Sequence, residues 1–214
     1  MQNSRTFSNS TFLKKQAFTM IEVLVVIAIL GILMALVFPV YGHVVSTTRE
    51  TRCVNNLHQI GKGLLLYGAT HDDALPWAPN EAAVYYVRLS GQPDPFYTTP
   101  TVKQVLMPYL REPSVFRSPS DIAFTGMVDT EGTFVERQPP GFYERMGSSY
   151  RVEQSGPDRL RMLSQVQNPS RRLLASALFA FHGTSEDPKF SILYFDMSAR
   201  IRPWAEYPSA LDIP

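Results

Sequence analysis

The chain has 214 residues, with 20 Lys and Arg against 19 Asp and Glu and a formal charge of +1. That length holds one membrane helix and one modest soluble domain, and the near balance of charge argues against a general nucleic-acid or anionic-membrane binder. The single cysteine, Cys53, excludes a disulfide framework within the chain, so any soluble domain must rest on its apolar core.

Residues 1–17 are polar, with Arg5, Lys14 and Lys15 and no acid, so removing them takes the formal charge from +1 to −2. From Val23 to Val40 no residue is charged, and with Phe18 to Glu22 and Tyr41 this run is long enough to cross a bilayer. The basic flank predicts a cytoplasmic N-terminus. Glu22 is the exception in this stretch. An acid inside an apolar span is expensive and marks a function with a partner. A secretory signal peptide is the competing reading. It would end sooner, at small residues, whereas here Val40 is followed by Tyr41-Gly42-His43 with no small-x-small site.

Residues 18 to about 70 read as one helix, about 80 Å long at 1.5 Å per residue. Beyond the membrane run, Cys53, Leu57, Ile60, Leu64 and Tyr67 recur at steps of four and three. They form one apolar stripe, with Arg49, Arg52, Asn56, Gln59 and Lys62 off it. Gly31 and Pro39 are the weak points, and Pro39 frees one backbone carbonyl, so a bend is expected there. His71 to Pro76 ends the helix, because Pro76 disfavours a helical Leu75. A short helix interrupted by Pro108 is expected over Thr101 to Leu110. Strands are expected at Gly132 to Arg137, Ser148 to Glu153, Arg172 to Phe181, Phe190 to Phe195 and Ala199 to Arg202. The last two flank Asp196-Met197-Ser198 as a hairpin turn. The architecture is α+β, a helical spine with a small antiparallel sheet packed on its stripe.

The head of the helix, Ala17-Phe18-Thr19-Met20-Ile21-Glu22 after Lys14-Lys15, resembles the type IV prepilin and type II secretion pseudopilin family. The family pattern is a small residue, usually Gly, then Phe-Thr-Leu-Ile-Glu and a long aliphatic helix. Here Ala stands for Gly and Met20 for Leu. The resemblance implies that a prepilin peptidase cuts after Ala17 and that the new Phe18 amine is N-methylated. It also implies that Glu22 engages the amine of a neighbouring subunit. Pro39 falls where many pilins carry a helix-softening proline. The implied organisation is a leader over 1–17, a transmembrane half-helix over 18–41, a periplasmic half-helix over 42–71 and a pilin-like domain over 72–214.

The soluble half is similar to a large pilin-like group of some Gram-negative bacteria whose spine carries Cys-x-Asn-Asn-Leu-x-Gln-Ile-Gly. Here that is Cys53-Val54-Asn55-Asn56-Leu57-His58-Gln59-Ile60-Gly61. Pro108-Tyr109-Leu110 and Val115-Phe116-Arg117-Ser118-Pro119-Ser120-Asp121 also match, except that Ser118 replaces a cysteine. That replacement leaves Cys53 without the partner it would otherwise have. His182-Gly183 and Phe195-Asp196 match the group's terminal hairpin, but its Gly-His pair is missing.

Several side chains are weighed between a site and a structural role. Cys53 reads as a small buried hydrophobe, and Asn55, Asn56 and Gln59 as partners of loop backbone. His182 with Asp196 or Asp187 is a weak metal or base candidate, because the four histidines include no ligand-spaced pair. Asp121, Asp129 and Glu131 are weak calcium candidates, and a solvated acidic loop is favoured because no ligand spacing is recognisable. Arg171 and Arg172 read as a solvated pair at a strand edge. No Gly-x-Ser-x-Gly, Walker or paired zinc motif occurs, so enzyme activity and a resident cofactor are not expected.

The expected function is a self-assembling structural subunit of a type II secretion pseudopilus or related type IV filament. Its partners would be other pilins, the prepilin peptidase, a platform protein and an assembly ATPase, with no nucleic acid. Before assembly the subunit would sit in the inner membrane by a single pass, with its soluble domain in the periplasm. The alternative is a membrane-anchored periplasmic binding module that never polymerises.

Overall fold

The computed structural model describes residues 18–91, 95–122, 127–128, 134–135, 140–152, 163–184 and 186–206. The first element, α1, is a single helix over Met20–Thr70, 51 residues long, with Pro39 inside it. The chain divides into two compact units, Met1–Val44 and Val45–Pro214. In the first unit, residues 18–44 are exposed throughout although most are large and apolar. Such a surface is out of place in water and suits lipid or packing against other helices.

In the second unit α1 is the spine that the stripe predicts. Cys53, Leu57, Ile60 and Leu64 are fully buried and Tyr67 partly so, while Arg52, Gln59 and Lys62 are exposed. Asn56 is half-buried and Arg49 likewise. The large residues are not the whole of that face. Gly61 and Gly63 are buried beside them. A Cβ on Gly61 would stand 2.9 Å from Leu193 Cδ2, and one on Gly63 would stand 2.9 Å from Leu110 Cδ2. Their missing side chains let other segments lie directly against the helix backbone. The helix ends at Asp72 and Asp73, both left-handed at φ 52° and 61°. Asp tolerates that region through local hydrogen bonding. The Asp73 N–H donates to the Gly68 carbonyl, and its carboxylate accepts from the Ser164 N–H at 2.8 Å.

Among the described residues three short α-helices follow. The first, α2 at Glu81–Ser90, was not expected from the sequence and ends at Gly91 in a left-handed conformation. Next, α3 at Val102–Leu106 opens with a Thr101/Gln104 capping box and passes into a 3-10 turn at Met107–Tyr109. The expected interruption at Pro108 thus appears as a tightened turn. The last, α4 at Phe142–Met146, stops at Gly147. Glu81 ties two of these together. It is buried, and its carboxylate accepts from the Thr101 hydroxyl and the Lys103 N–H.

Strands β1 (Met127–Val128) and β2 (Phe134–Val135) pair antiparallel by themselves. The main sheet holds β3 (Tyr150–Val152), β4 (Leu173–Ala177), β5 (His182–Gly183), β6 (Pro188–Tyr194) and β7 (Ala199–Pro203), all antiparallel. Central β6 takes β4 and β5 along one side and β7 along the other. Its run from Phe190 to Tyr194 is buried on both faces. Leu193 joins the cluster formed with the spine, whereas Phe190, Ile192 and Tyr194 form a second cluster with Leu173, Ala180 and Trp204. A strand covered on both sides reads as a near-continuous apolar run, and this one is broken only by the buried Ser191.

The expected strand over 172–181 is shorter, because the chain leaves the ladder after Ala177 and returns as β5, which the sequence did not signal. Asp196-Met197-Ser198 is the turn between β6 and β7, with Met197 at φ 64°. The Ser198 N–H and hydroxyl both donate to Asp196 Oδ1.

Candidate assembly site at the helix head

Thr19 precedes the first helical turn, and Glu22 lies three residues on. The Thr19 N–H donates to Glu22 Oε2 at 2.8 Å, the Thr19 hydroxyl donates to the same oxygen at 2.8 Å, and the Glu22 N–H donates to the Thr19 hydroxyl at 3.3 Å. This is a reciprocal capping box. It satisfies donors that a helix start leaves without intrahelical partners, and it sets a carboxylate at the positive end of the helix dipole. Both contacts to the carboxylate use Oε2, and no hydrogen bond from another described residue reaches Oε1. The spacing Thr-x-x-Glu before an apolar run is itself a sequence signal for this cap. Reading Glu22 only as a partner for a neighbour passed over it.

The surroundings make that carboxylate unusual. Phe18, Met20 and Ile21 are exposed, and the apolar surface continues through Val44. One polar cluster thus heads a helix whose first unit is otherwise greasy. Residues 13–38 match the family model of the prokaryotic N-terminal methylation motif. The chain carries a prepilin-type signature. That signature belongs to type IV pilins and pseudopilins, and the α+β layout of a long apolar helix followed by a small antiparallel sheet fits a pilin-like protein. It implies processing by a prepilin peptidase and assembly with other pilins. No curated protein and no solved structure matches the chain. Within the signature, Phe18 and Glu22 lie among the described residues and Ala17 lies outside them.

The other candidates among the described residues make structural contacts. Cys53 is buried, and its Sγ lies 3.1 Å from Ser118 Oγ, also buried. Ser118 is the position at which the similar pilin-like group has a cysteine, so the two side chains do meet in space. Asn56 donates to the Arg117 carbonyl at 2.9 Å, as expected of a loop partner, whereas Asn55 and Gln59 are exposed.

Asp121 departs from the expected solvated acidic loop. It is 5% exposed, and its carboxylate accepts from the Phe142 N–H, the Tyr143 N–H and the Ser149 hydroxyl. It therefore holds the first turn of α4 against β3. Asp129 and Glu131 lie outside the described residues. Among the described residues no group of three His, Cys, Asp or Glu side chains is placed to hold a metal ion.

His182 is buried on β5, with Nε2 3.1 Å from Ser191 Oγ. Asp187 instead pairs with Lys189 at 3.2 Å, and Asp196 binds its own turn. Burial pushes the His182 imidazole from the usual 6.5 down to about 4, so it sits neutral in the sheet. Arg171 is exposed as expected, while Arg172 is half-buried and its carbonyl accepts from the Phe195 N–H.

Proposed function

We propose that this chain is a structural, non-enzymatic subunit of a type II secretion pseudopilus or a related type IV pilus-like filament that acts in protein secretion. A prepilin peptidase cuts between Ala17 and Phe18, the Phe18 amine is N-methylated, and the subunit waits in the inner membrane. Its N-terminus faces the cytoplasm and its second unit the periplasm. A platform protein and an assembly ATPase then move it into a filament whose core is built from the apolar helices. Pro39 gives that helix a place to bend.

The observation that carries this reading is Glu22. Its Oε2 is occupied by Thr19 and no other described residue reaches its Oε1, at the head of a fully exposed apolar run. A carboxylate that already caps its own helix is stable in the unassembled subunit. The same carboxylate can accept the Phe18 ammonium of a staggered neighbour through Oε1. In low dielectric such a pair is strong, and removing one partner of a buried pair costs about 3–5 kcal/mol.

Glu22→Gln keeps an oxygen for the Thr19 cap and removes the charge, whereas Glu22→Ala removes both. Both variants are expected to be cut, methylated at Phe18, inserted and folded, yet to yield few or no sheared filaments. Co-expressed wild-type subunits should partly rescue them. Filaments recovered from Glu22→Ala at the wild-type level would make the carboxylate incidental and favour the anchored periplasmic module.

A further inference from the structure

Two edge strands of the main sheet, β3 and β7, are treated differently. On β3 the outward backbone groups are closed by side chains. Ser148 Oγ donates to the Tyr150 carbonyl at 2.7 Å and accepts from the Tyr150 N–H at 3.0 Å. Asn80 donates to the Val152 carbonyl at 3.0 Å and accepts from the Val152 N–H at 2.8 Å. The Asn80 amide thus stands where a further strand would lie, which is one way to blunt an edge.

Among the described residues, the edge at β7 has no such cover. The Tyr194 N–H donates to the Ser198 carbonyl at 2.9 Å, and the register pairs Leu193 with Ala199 and Ser191 with Ile201. Antiparallel alternation makes these the non-hydrogen-bonded pairs, so the N–H and C=O of Ala199 and Ile201 point away from β6. No hydrogen bond from another described residue reaches them. Pro203, with no N–H, ends the open stretch.

We propose that β7 is a docking edge that takes an extended acidic segment of another protein as an added strand. The β3 or β7 strand of a second copy does not fit. The copy's β3 edge is closed in the same way, and β7 against β7 would set arginines against arginines. Charge selects the chemistry of the occupant. Arg200 and Arg202 share one face of β7, opposite Ile192 and Phe190. Arg202 pairs with Glu206 at 2.9 Å, whereas Arg200 is exposed and only senses Asp196 at the turn, without a salt bridge to any described acid. An incoming strand would bond to Ala199 and Ile201 and present alternate carboxylates to the arginines, with small apolar residues on its other face. The edge lies wholly within the second unit, so this inference does not rest on the filament reading.

The test uses the full-length protein in detergent micelles and a labelled peptide of alternating glutamate and valine, followed by fluorescence anisotropy. Saturable binding is expected. It should weaken about tenfold or more when alternate peptide nitrogens are methylated, when lysine replaces glutamate, or when the protein carries Arg200→Glu with Arg202→Glu. The thermal unfolding midpoint confirms that the variant is folded. Absence of saturable binding, or binding that survives either the methylation or the arginine reversal, would overturn the proposal. So would copies that cross-link to one another through cysteines introduced on β7.

Discussion

Cys53 and Ser118 meet in the buried part of the second unit, 65 residues apart in sequence and 3.1 Å apart at Sγ and Oγ. The serine gives the thiol a hydrogen-bonding partner at the cost of a covalent one. Because the two side chains already touch, Ser118→Cys is expected to form a disulfide when the protein is exported to an oxidising compartment. Closing so long a loop would stabilise the unit by up to about 4 kcal/mol in the chain-entropy model. Intact mass before and after reduction, with unfolding midpoints for each form, would check it. A variant that stays reduced under oxidising conditions would show that the backbone cannot bring the sulfurs into bonding geometry.

The spine of α1 is the element on which the second unit depends. Its stripe is buried as a row, and Gly61 and Gly63 bring Leu193 and Leu110 onto the helix backbone between the large residues. Leu57→Asp places an unpaired carboxylate at a position with no exposure. Burying it costs several kcal/mol, comparable to the whole stability of a small domain. Loss of the folded unit is expected, with membrane insertion retained because the first unit is untouched. Limited proteolysis of membrane fractions separates the two effects, and wild-type protease resistance would mean that the stripe does not carry the packing.

At the scale of the whole molecule, stability should respond to pH through His182. Its folded value of about 4 lies below the usual 6.5. Above pH 6.5 the imidazole is neutral in both states and contributes nothing to the difference. Between 6.5 and 4 the unfolded chain takes a proton that the folded sheet refuses, so stability falls, by about 3 kcal/mol once pH reaches 4. Glu81 acts in the opposite sense, since burial raises its carboxyl above the usual value in the folded state. Comparing wild type with His182→Gln isolates the histidine. The variant should lose less stability than wild type between pH 7 and pH 4.5 in denaturant unfolding, and equal losses would rule His182 out.

The sequence by itself determined what depends on local pattern. The uncharged run and its lone acid placed the apolar helix and Glu22, and steps of three and four placed the buried stripe from Cys53 to Leu64. Two β-prone runs flanking the turn residues Asp196-Met197-Ser198 placed the β6–β7 hairpin. Each of these is a short-range property of a periodic backbone. Only the tertiary structure decided what depends on distant partners. It brought Ser118 to Cys53, turned Asp121 from a candidate calcium ligand into the cap of α4, and set Asn80 across the β3 edge while no described residue covers β7. It also put His182 beside Ser191 instead of an acid. None of these pairings has a spacing rule, because each joins side chains whose separation along the chain says nothing about their separation in space. Burial then fixes their chemistry, since an enclosed polar group must take whichever partner the packing supplies.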